Sequence, residues 1–182
     1  TWKEAAVIEQ MLDHCHIAWA DGPVEYMIYT GYYANDRDGY HALWRAASRN
    51  PAVRLVRVEH DGPTTKADCL NHLWRALLED EKREEIRYKA VILHDAEDQV
   101  DREELRLFDR LIEEYDAVQL PVIPVIVPGS LWVSGHYLDE FADSHGRVLP
   151  VRALLGAAIP FAGVGVAAGI GSDCILPWRR SL

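Results

Sequence analysis

The sequence predicts an α/β domain with a Rossmann-like, mixed and mostly parallel sheet flanked by helices on both faces. Apolar residues at helical spacing alternate along the chain with short apolar or alternating runs typical of strands. The connections between those runs are long enough for crossover helices. With 182 residues, 49% of them hydrophobic, the chain is large enough for one domain with its own core.

The individual elements follow from the same patterns. Ile8, Met11, Leu12, Cys15 and Trp19 recur at helical spacing and predict the first helix. Helices are predicted over 4–19, 38–48, 65–80, 105–115 and 137–144, and strands over 24–30, 53–59, 89–94 and 117–127. The charged run 79–87 is predicted to be a solvated loop, and Asp101 with Glu104 resembles a capping box.

Residues 153–172 carry no charge and are numerous enough to span a bilayer. They are rich in Gly and Ala, contain Pro160 and lack the large aliphatic side chains that drive insertion. This composition favours a buried strand and loop over a membrane span. The chain begins at Thr1 without Met, and we expect it to be a piece of a larger protein.

Composition excludes several functional classes. The net charge of −10 argues against a nucleic-acid groove and against docking on anionic lipid by charge alone. It is compatible with phosphate-bearing substrates if a divalent cation mediates the contact. The three cysteines, Cys15, Cys69 and Cys174, are far apart and predict reduced thiols, not disulfides or a zinc site.

Polar residues follow three predicted strands, where α/β sheets bind their ligands. Asn35-Asp36 follows the first strand, Asp61-Gly62 the second, and Asp95-Ala96-Glu97-Asp98 the third. Three carboxylates within four residues would repel one another without a cation, and Mg²⁺ or Mn²⁺ prefers such oxygen ligands. The alternative is a helix start, where acidic residues interact favourably with the helix dipole.

Several segments occur in an order that resembles family 2 glycosyltransferases of the GT-A fold. They are Thr1-Trp2-Lys3-Glu4, the Gly-Pro-Thr-Thr-Lys-Ala-Asp-Cys-Leu-Asn run at 62–71, and His94-Asp95-Ala96-Glu97-Asp98. Residues 118–122, 135–141 and 162–165 are similar to a bacterial inner-membrane subgroup of that family, the phage-adsorption B proteins. The resemblance extends to about Val166.

The resemblance implies a single truncated GT-A domain over 1–182. Residues 1–115 would form its nucleotide-binding half and residues 116–182 a partial acceptor half. The first strand of the family would precede Thr1. The absence of a Q-x-x-R-W motif gives no support for a processive polysaccharide synthase.

The resemblance also implies roles for individual residues. Glu4 would border the nucleotide pocket, Asp36 would contact the base or ribose, and Lys66 would lie near the nucleotide. Asp95 and Glu97 occupy the family's D-x-D positions. Asp95 would touch ribose or metal-bound water, and Glu97 would hold the Mn²⁺ or Mg²⁺ that bridges the diphosphate, with Asp98 sharing that work. Taken singly, Glu4 fits a helix start, Asp36 a turn and Lys66 a solvated side chain.

The implied function is metal-dependent transfer of a sugar from a nucleotide-sugar donor to a glycan or lipid-linked acceptor, in cell-envelope polysaccharide synthesis. The implied location is the cytoplasmic face of the bacterial inner membrane, through segments outside this chain. The family's downstream Thr-Glu-Asp base motif does not occur before Leu182, so the fragment itself is a candidate for inactivity.

Two questions stay open at the level of sequence. Asp139 and Glu140 are acceptor-side candidates for the catalytic base, and the alternative is a polar helix face. The alternative function is a catalytically degenerate nucleotide-binding or scaffold domain of a membrane phage-receptor or secretion system.

Overall fold

The computed structural model describes residues 2–126 and 129–170, which form a mixed α/β structure. In chain order the elements are α1 (Ala5–Trp19), β1 (Ile28–Tyr33), α2 (Arg37–Arg49), β2 (Val53–Val58), α3 (Lys66–Glu84), β3 (Ala90–Leu93), α4 (Glu104–Leu111), β4 (Ala117–Gln119), α5 (Leu131–Asp143), a π-helical segment (Ser144–Val148), α6 (Leu149–Leu154) and β5 (Val166–Gly169). The predicted alternation of helix and strand is confirmed.

Strands β1 and β2 form a parallel two-stranded sheet with helices on both faces. The ladder runs from Ile28 opposite Val53 to Tyr33 opposite Val58. Successive side chains of a strand point to opposite faces. Tyr29 reaches Asp80 of α3 on one face, and Tyr32 packs against Tyr40 of α2 on the other. The prediction of helices on both faces therefore holds for this sheet.

Strand β1 lies three to four residues later than the strand predicted over 24–30. Gly31, the first residue after the predicted strand, lies inside the ladder opposite Val56. A Cβ atom added at Gly31 would lie 2.6 Å from Cys69 Sγ of α3. Glycine at this position therefore allows α3 to approach the sheet closely.

The second sheet corrects the prediction of one mostly parallel sheet. Its order is β3-β5-β4, and β5 is antiparallel to both neighbours. The chain returns from the exposed segment after α6 and enters between β3 and β4 in the opposite direction, with Val166 paired to Leu93 and to Gln119. The described strands thus form one parallel and two antiparallel ladders. The proposed division at 115/116 stays a prediction, although β5 joins strands from both sides of it.

The core lies between α1, α2 and the strands. Leu12, Cys15 and Leu43 are completely buried in it, and Ile28 and Ile92 from the two sheets pack against it. Burial, together with the charge of Glu104, raises the pKa of the Cys15 thiol to about 12. Cys15 and Cys69 are free thiols, as predicted, and Cys174 lies outside the described residues.

Helix α3 continues to Glu84, so the prediction of a loop over 79–87 is wrong for most of that run. The reason is that two of its acidic side chains are buried: Asp80 pairs with Arg54, and Glu81 accepts a hydrogen bond from the Tyr88 backbone amide. Helix α5 likewise begins at Leu131, six residues before the predicted start at 137.

The predicted capping box at the start of α4 is also wrong. Asp101 Oδ1 accepts a hydrogen bond from the Glu103 amide, and the Glu104 carboxylate turns to His94 instead of the helix start. The structure describes residues 153–170 of the uncharged stretch, and within them β5 is the one strand and residues 153–162 are exposed. None of the helices in the described parts of the chain combines the length and apolar character that a bilayer crossing requires.

Candidate functional site

The centre of the candidate site is an ion pair between two strand-end segments. Lys66 is the first residue of α3, and its Nζ lies 2.5 Å from Asp95 Oδ1, just beyond β3. Thr65 caps the helix: its side chain accepts a hydrogen bond from the Asp68 amide. This cap fixes where the helix begins and therefore the position of Lys66. Sequence reasoning singled out both residues, and the structure brings them together.

A third segment completes this group. Lys66 Nζ also donates a hydrogen bond of 3.2 Å to the carbonyl oxygen of Gly163, in the glycine-containing loop before β5. The loop turns with positive φ at Gly163 and at Gly165, and the Gly165 amide donates to the Leu93 carbonyl. The cluster Lys66, Asp95 and Gly163 therefore joins the start of α3, the end of β3 and the loop 162–165.

Gln119, at the end of β4, fixes the loop 162–165. Its Oε1 accepts a hydrogen bond from the Ala162 amide, and its Nε2 donates to the carbonyls of Val164 and Gly165. One amide side chain thus contacts the loop on both sides of Gly163. Sequence reasoning did not single out Gln119 as a site residue; the signal was a lone amide between apolar neighbours, Val118 and Leu120.

A network of largely buried charged side chains, His94, Asp98 and Glu104, holds the loop that carries Asp95. Asp98 Oδ2 accepts hydrogen bonds from the Asp95 amide and lies 3.2 Å from His94 Nδ1. His94 Nε2 is 2.9 Å from Glu104 Oε1, a contact of ion-pair length without good hydrogen-bond alignment. Burial opposes a charge on the ring, but Asp98 and Glu104 outweigh it and raise the pKa of His94 to about 9.

This network separates the roles of the three carboxylates. One oxygen of Asp98 closes the turn, whereas Asp95 is 40% exposed and Glu97 is exposed without a hydrogen bond to any described residue. Asp95 and Glu97 therefore offer accessible hard oxygen atoms of the kind that Mg²⁺ or Mn²⁺ binds together with substrate phosphates. The donor set fits such a cation.

The carboxylates do not form a ready-made metal cage. Within residues 2–126 and 129–170, no three acidic, histidine or cysteine side chains converge closely enough to hold an ion. A cation at Asp95 and Glu97 would need oxygen atoms from a ligand to complete its coordination shell. A nucleoside diphosphate would supply them.

Glu4 and Asp36 belong to a neighbouring group at the carboxyl end of β1. Asp36 is buried and begins α2, where its carboxylate accepts hydrogen bonds from the amides of Gly39 and Lys3. Glu4 precedes α1 and accepts a hydrogen bond of 3.3 Å from the Trp2 amide. Both carboxylates thus orient backbone, and their contact with a nucleotide stays a prediction.

Trp2 and Tyr33 link this group to the turn after β2. Their rings meet edge to face with centroids 5.7 Å apart, and a Cβ atom at Gly62 would lie within 2.7 Å of the Trp2 ring. Tyr33 also bonds Thr64, two residues before Lys66. The carboxyl ends of β1 and β2 and the start of α3 therefore adjoin, as the strand-end pattern predicted.

Asp139 and Glu140 lie elsewhere. Both are exposed on α5, and among the described residues no hydrogen bond or ion pair joins either of them to Lys66, Asp95 or Gly163. Nearby, Phe141 stacks on the buried His145 ring with centroids 5.4 Å apart. A role of Asp139 and Glu140 as base stays a prediction without support from the observed contacts.

Comparison with known proteins agrees with this arrangement. Residues 90–169, which span β3, the Asp95 loop, β4 and β5, match the family described as Glycosyl transferase family group 2. Over 164 residues the chain is 38% identical to Bacteriophage adsorption protein B of Escherichia coli strain K12 and to Bacteriophage N4 adsorption protein B of Escherichia coli O157:H7. The alignment covers 90% of this chain and 22% of each relative, so the chain spans about a fifth of their length. The chain therefore contains a glycosyl transferase family 2 domain and is homologous to these bacterial adsorption proteins.

Proposed function

We propose that this chain forms the nucleotide-sugar-binding part of a metal-dependent glycosyltransferase with a GT-A-like fold. The reaction is transfer of a sugar from a nucleotide-diphosphate donor to a glycan or lipid-linked acceptor. The larger protein would act in cell-envelope polysaccharide synthesis at the cytoplasmic face of the bacterial inner membrane. Family membership supports the reaction class, and donor and acceptor belong to the proposal.

The observation that carries this proposal is the Lys66–Asp95 ion pair beside the Gly163 carbonyl. The pair brings the Lys66 ammonium group and the Asp95 carboxylate together near the carboxyl end of β3, and exposed Glu97 lies two residues after Asp95. A diphosphate binds where ammonium groups and carboxylate-held cations lie together. The three residues supply both kinds of partner.

In this proposal Lys66 binds phosphate oxygens, while Asp95 and Glu97 hold Mg²⁺ or Mn²⁺. The cation, when bound, stabilises the negative charge that develops on the departing nucleoside diphosphate. Asp98 shapes the loop through the Asp95 amide and has its other oxygen left for the cation. Glu4 and Asp36, at the neighbouring strand end, would orient the segments that receive the nucleoside.

A carboxylate base is still required to take the proton from the acceptor hydroxyl. Asp139 and Glu140 are the candidates within this chain, and the Thr-Glu-Asp segment of the family would be the other source. The alternative function is a catalytically degenerate nucleotide-binding or scaffold domain. A degenerate nucleotide-binding domain would use the Lys66–Asp95 group without the base, whereas a scaffold domain would need neither.

Calorimetric titration of the chain with UDP, GDP and ADP, each with Mn²⁺ and with EDTA, tests the donor site. We expect one nucleoside diphosphate to bind with Mn²⁺ and to lose most of its affinity in EDTA, in Asp95→Asn and in Glu97→Gln. Asp109→Asn is the matched control, because Asp109 forms a similar exposed pair of 2.7 Å with Lys89 outside the site.

The outcomes separate the hypotheses. Metal-dependent binding that is lost in both site variants but kept in Asp109→Asn supports the donor site. The nucleotide that binds identifies the nucleobase of the donor. Absence of binding of all three nucleotides to the folded wild-type chain would contradict the donor site and favour the scaffold function. Hydrolysis or transfer assays on the longer protein then separate an active enzyme from a degenerate binding domain.

A further inference from the structure

His94 lies between two carboxylates, directly before Asp95 in the chain. Its Nδ1 atom is 3.2 Å from Asp98 Oδ2, and its Nε2 atom is 2.9 Å from Glu104 Oε1 of α4. Only 13% of the His94 side chain and 8% of the Glu104 side chain are exposed. A side chain enclosed in this way acts on a ligand through its neighbours and not by direct contact.

The neighbour through which His94 can act is Asp98. Besides contacting His94, Asp98 Oδ2 accepts a hydrogen bond of 2.9 Å from the Asp95 amide. Charge-assisted contacts of two donors with one oxygen restrict the rotation of a carboxylate. The contact with His94 therefore keeps Asp98 against the Asp95 amide and leaves only Oδ1 of Asp98 outside these contacts.

Helix α1 holds the same loop at its far end. His14 Nε2 lies 2.9 Å from the carbonyl oxygen of Val100, and Trp19 Nε1 donates a hydrogen bond of 3.1 Å to the carbonyl oxygen of Asp101. The Trp19 ring also lies beside His94, with ring centroids 6.4 Å apart. The loop is thus anchored to the core helix α1 at one end and to His94 at the other.

We propose that His94 is a positioning residue of the cation site, an inference that rests on the proposed function of Asp95 and Glu97. By holding one oxygen of Asp98, His94 keeps the loop in one arrangement and limits Asp98 to a single oxygen for the cation. A rigid site with few ligand oxygens favours Mg²⁺ or Mn²⁺, whereas Ca²⁺ takes more oxygen ligands and accepts a flexible site. His94 therefore contributes to the choice of cation without touching it.

Two substitutions separate the two contacts of His94. The amide of asparagine donates from the position of Nδ1 and can keep the contact with Asp98, whereas the amide of glutamine donates from the position of Nε2 and can keep the contact with Glu104. Both variants remove the imidazole ring, so a difference between His94→Asn and His94→Gln identifies the contact that matters. We expect only His94→Gln to release the loop.

The first measurement is hydrogen exchange at the Asp95 amide of the ligand-free chain, followed by NMR. Exchange should be about tenfold faster in His94→Gln, because Asp98 is no longer held against that amide. It should stay at the wild-type rate in His94→Asn and in the control His41→Gln, since His41 is exposed on α2. Equal exchange rates in His94→Asn and His94→Gln would overturn the positioning role.

The second measurement is calorimetric titration with UDP, GDP and ADP in Mn²⁺ and in Ca²⁺. His94→Gln should weaken nucleotide binding about tenfold in Mn²⁺ and less than about threefold in Ca²⁺, whereas His94→Asn should keep the wild-type preference. An equal loss with both cations is the result of general destabilisation and would overturn the role in cation choice.

The two measurements also separate this proposal from the proposed function. If the folded wild-type chain binds none of the three nucleotides, the proposed function fails, and the role of His94 in cation choice fails with it. Hydrogen exchange in the ligand-free chain still decides whether His94 positions the loop, because that measurement needs neither cation nor nucleotide.

Discussion

Lys66 and Asp95 are 29 residues apart in the chain, yet Lys66 Nζ lies 2.5 Å from Asp95 Oδ1. The lysine side chain is 54% exposed and the aspartate 40%, so the pair contributes less than about 1 kcal/mol to the free energy of unfolding. The importance of the pair is positional. It holds the Lys66 ammonium group and the Asp95 carboxylate at one edge of the fold. In the proposed function the ammonium group binds the diphosphate and the carboxylate binds the divalent cation.

Lys66→Gln should weaken the binding of the nucleoside diphosphate about tenfold, because it removes a charge-assisted contact with the phosphates. The same change should alter the free energy of unfolding by less than about 1 kcal/mol, since the ion pair is exposed. Calorimetry measures the first effect and urea unfolding the second. Lys82→Gln, at an exposed position of the same helix, should change neither, and equal affinity of Lys66→Gln and wild type would contradict the assignment.

Gln119→Glu should destabilise the chain by about 2 kcal/mol at pH 7. The substitution turns a donor into a carboxylate oxygen that faces the carbonyls of Val164 and Gly165, so a repulsive contact replaces two hydrogen bonds, although the Gly165 carbonyl keeps its bond from the Leu120 amide. Hydrogen exchange should also rise at the Ala162 amide, because repulsion between the new carboxylate and the two carbonyls loosens the hydrogen bond that this amide donates to Oε1. Urea unfolding and exchange measured by mass spectrometry test the two effects.

The loss in Gln119→Glu should depend on pH. Facing two carbonyls raises the pKa of the new carboxyl group in the folded state, so the folded state binds its proton more tightly than the unfolded chain does. Stability is then retained below the ordinary glutamate pKa of about 4.3 and lost as pH rises through the raised value. Gln10→Glu, at an exposed position of α1, should show no such loss. A loss of equal size at pH 4 and pH 7 would argue against the proposed contacts.

Local pattern was enough to predict most of the helices and the strand ends that precede Asp36, Asp61 and Asp95. Their positions follow from hydrophobic periodicity and from the rule that ligands bind at the carboxyl ends of strands. Lys66 was singled out by the family resemblance and not by spacing, and its contact with Asp95 was not predicted. The direction of β5 could not be predicted, because a four-residue strand carries no signal of which neighbours it will pair with.

Acidic side chains were the least predictable feature. The sequence predicts Asp98 as a cation ligand and Glu104 as part of a capping box, but both carboxylates face His94, so one oxygen of Asp98 is used within the loop. Asp80 and Glu81 look like part of a solvated run, but both side chains are buried within α3 and pair with neighbouring donors. Whether a carboxylate is buried with a partner is a tertiary property, which short-range patterns do not contain.

Asp80→Asn should lower the free energy of unfolding by about 2 kcal/mol. Asp80 is 5% exposed, and its carboxylate contacts Arg54, Arg83 and the Tyr29 hydroxyl. Removing the negative charge leaves those donors with a weaker acceptor in a buried position. Urea unfolding gives the change. The control is Glu84→Gln, because Glu84 lies four residues after Asp80 and is an exposed partner of the adjacent Arg83. It should cost less than about 0.5 kcal/mol, and an equal cost in both variants would contradict a buried role for Asp80.

Glu9 should make the contact between α1 and α2 sensitive to acid. Hydrogen bonds from Arg45 and Arg49 lower the pKa of Glu9 from 4.5 to about 2. Because the folded state binds the proton more weakly than the unfolded chain, the stabilisation by ionised Glu9 is complete above pH 4.5 and is lost as pH falls towards 2. The salt bridges are largely solvent-exposed, so the size of this stabilisation is below about 1 kcal/mol.

The measurement is urea unfolding of the wild type and of Glu9→Gln at intervals between pH 6 and pH 2. The difference between them should be largest near pH 6 and should shrink through the window below pH 4.5, because protonated Glu9 and glutamine are then alike in charge. Glu79→Gln is the control, since Glu79 is exposed and has no ion pair with a described residue. A constant difference for Glu9→Gln across the whole range, or the same trend in Glu79→Gln, would show that Arg45 and Arg49 do not stabilise the fold through the Glu9 charge.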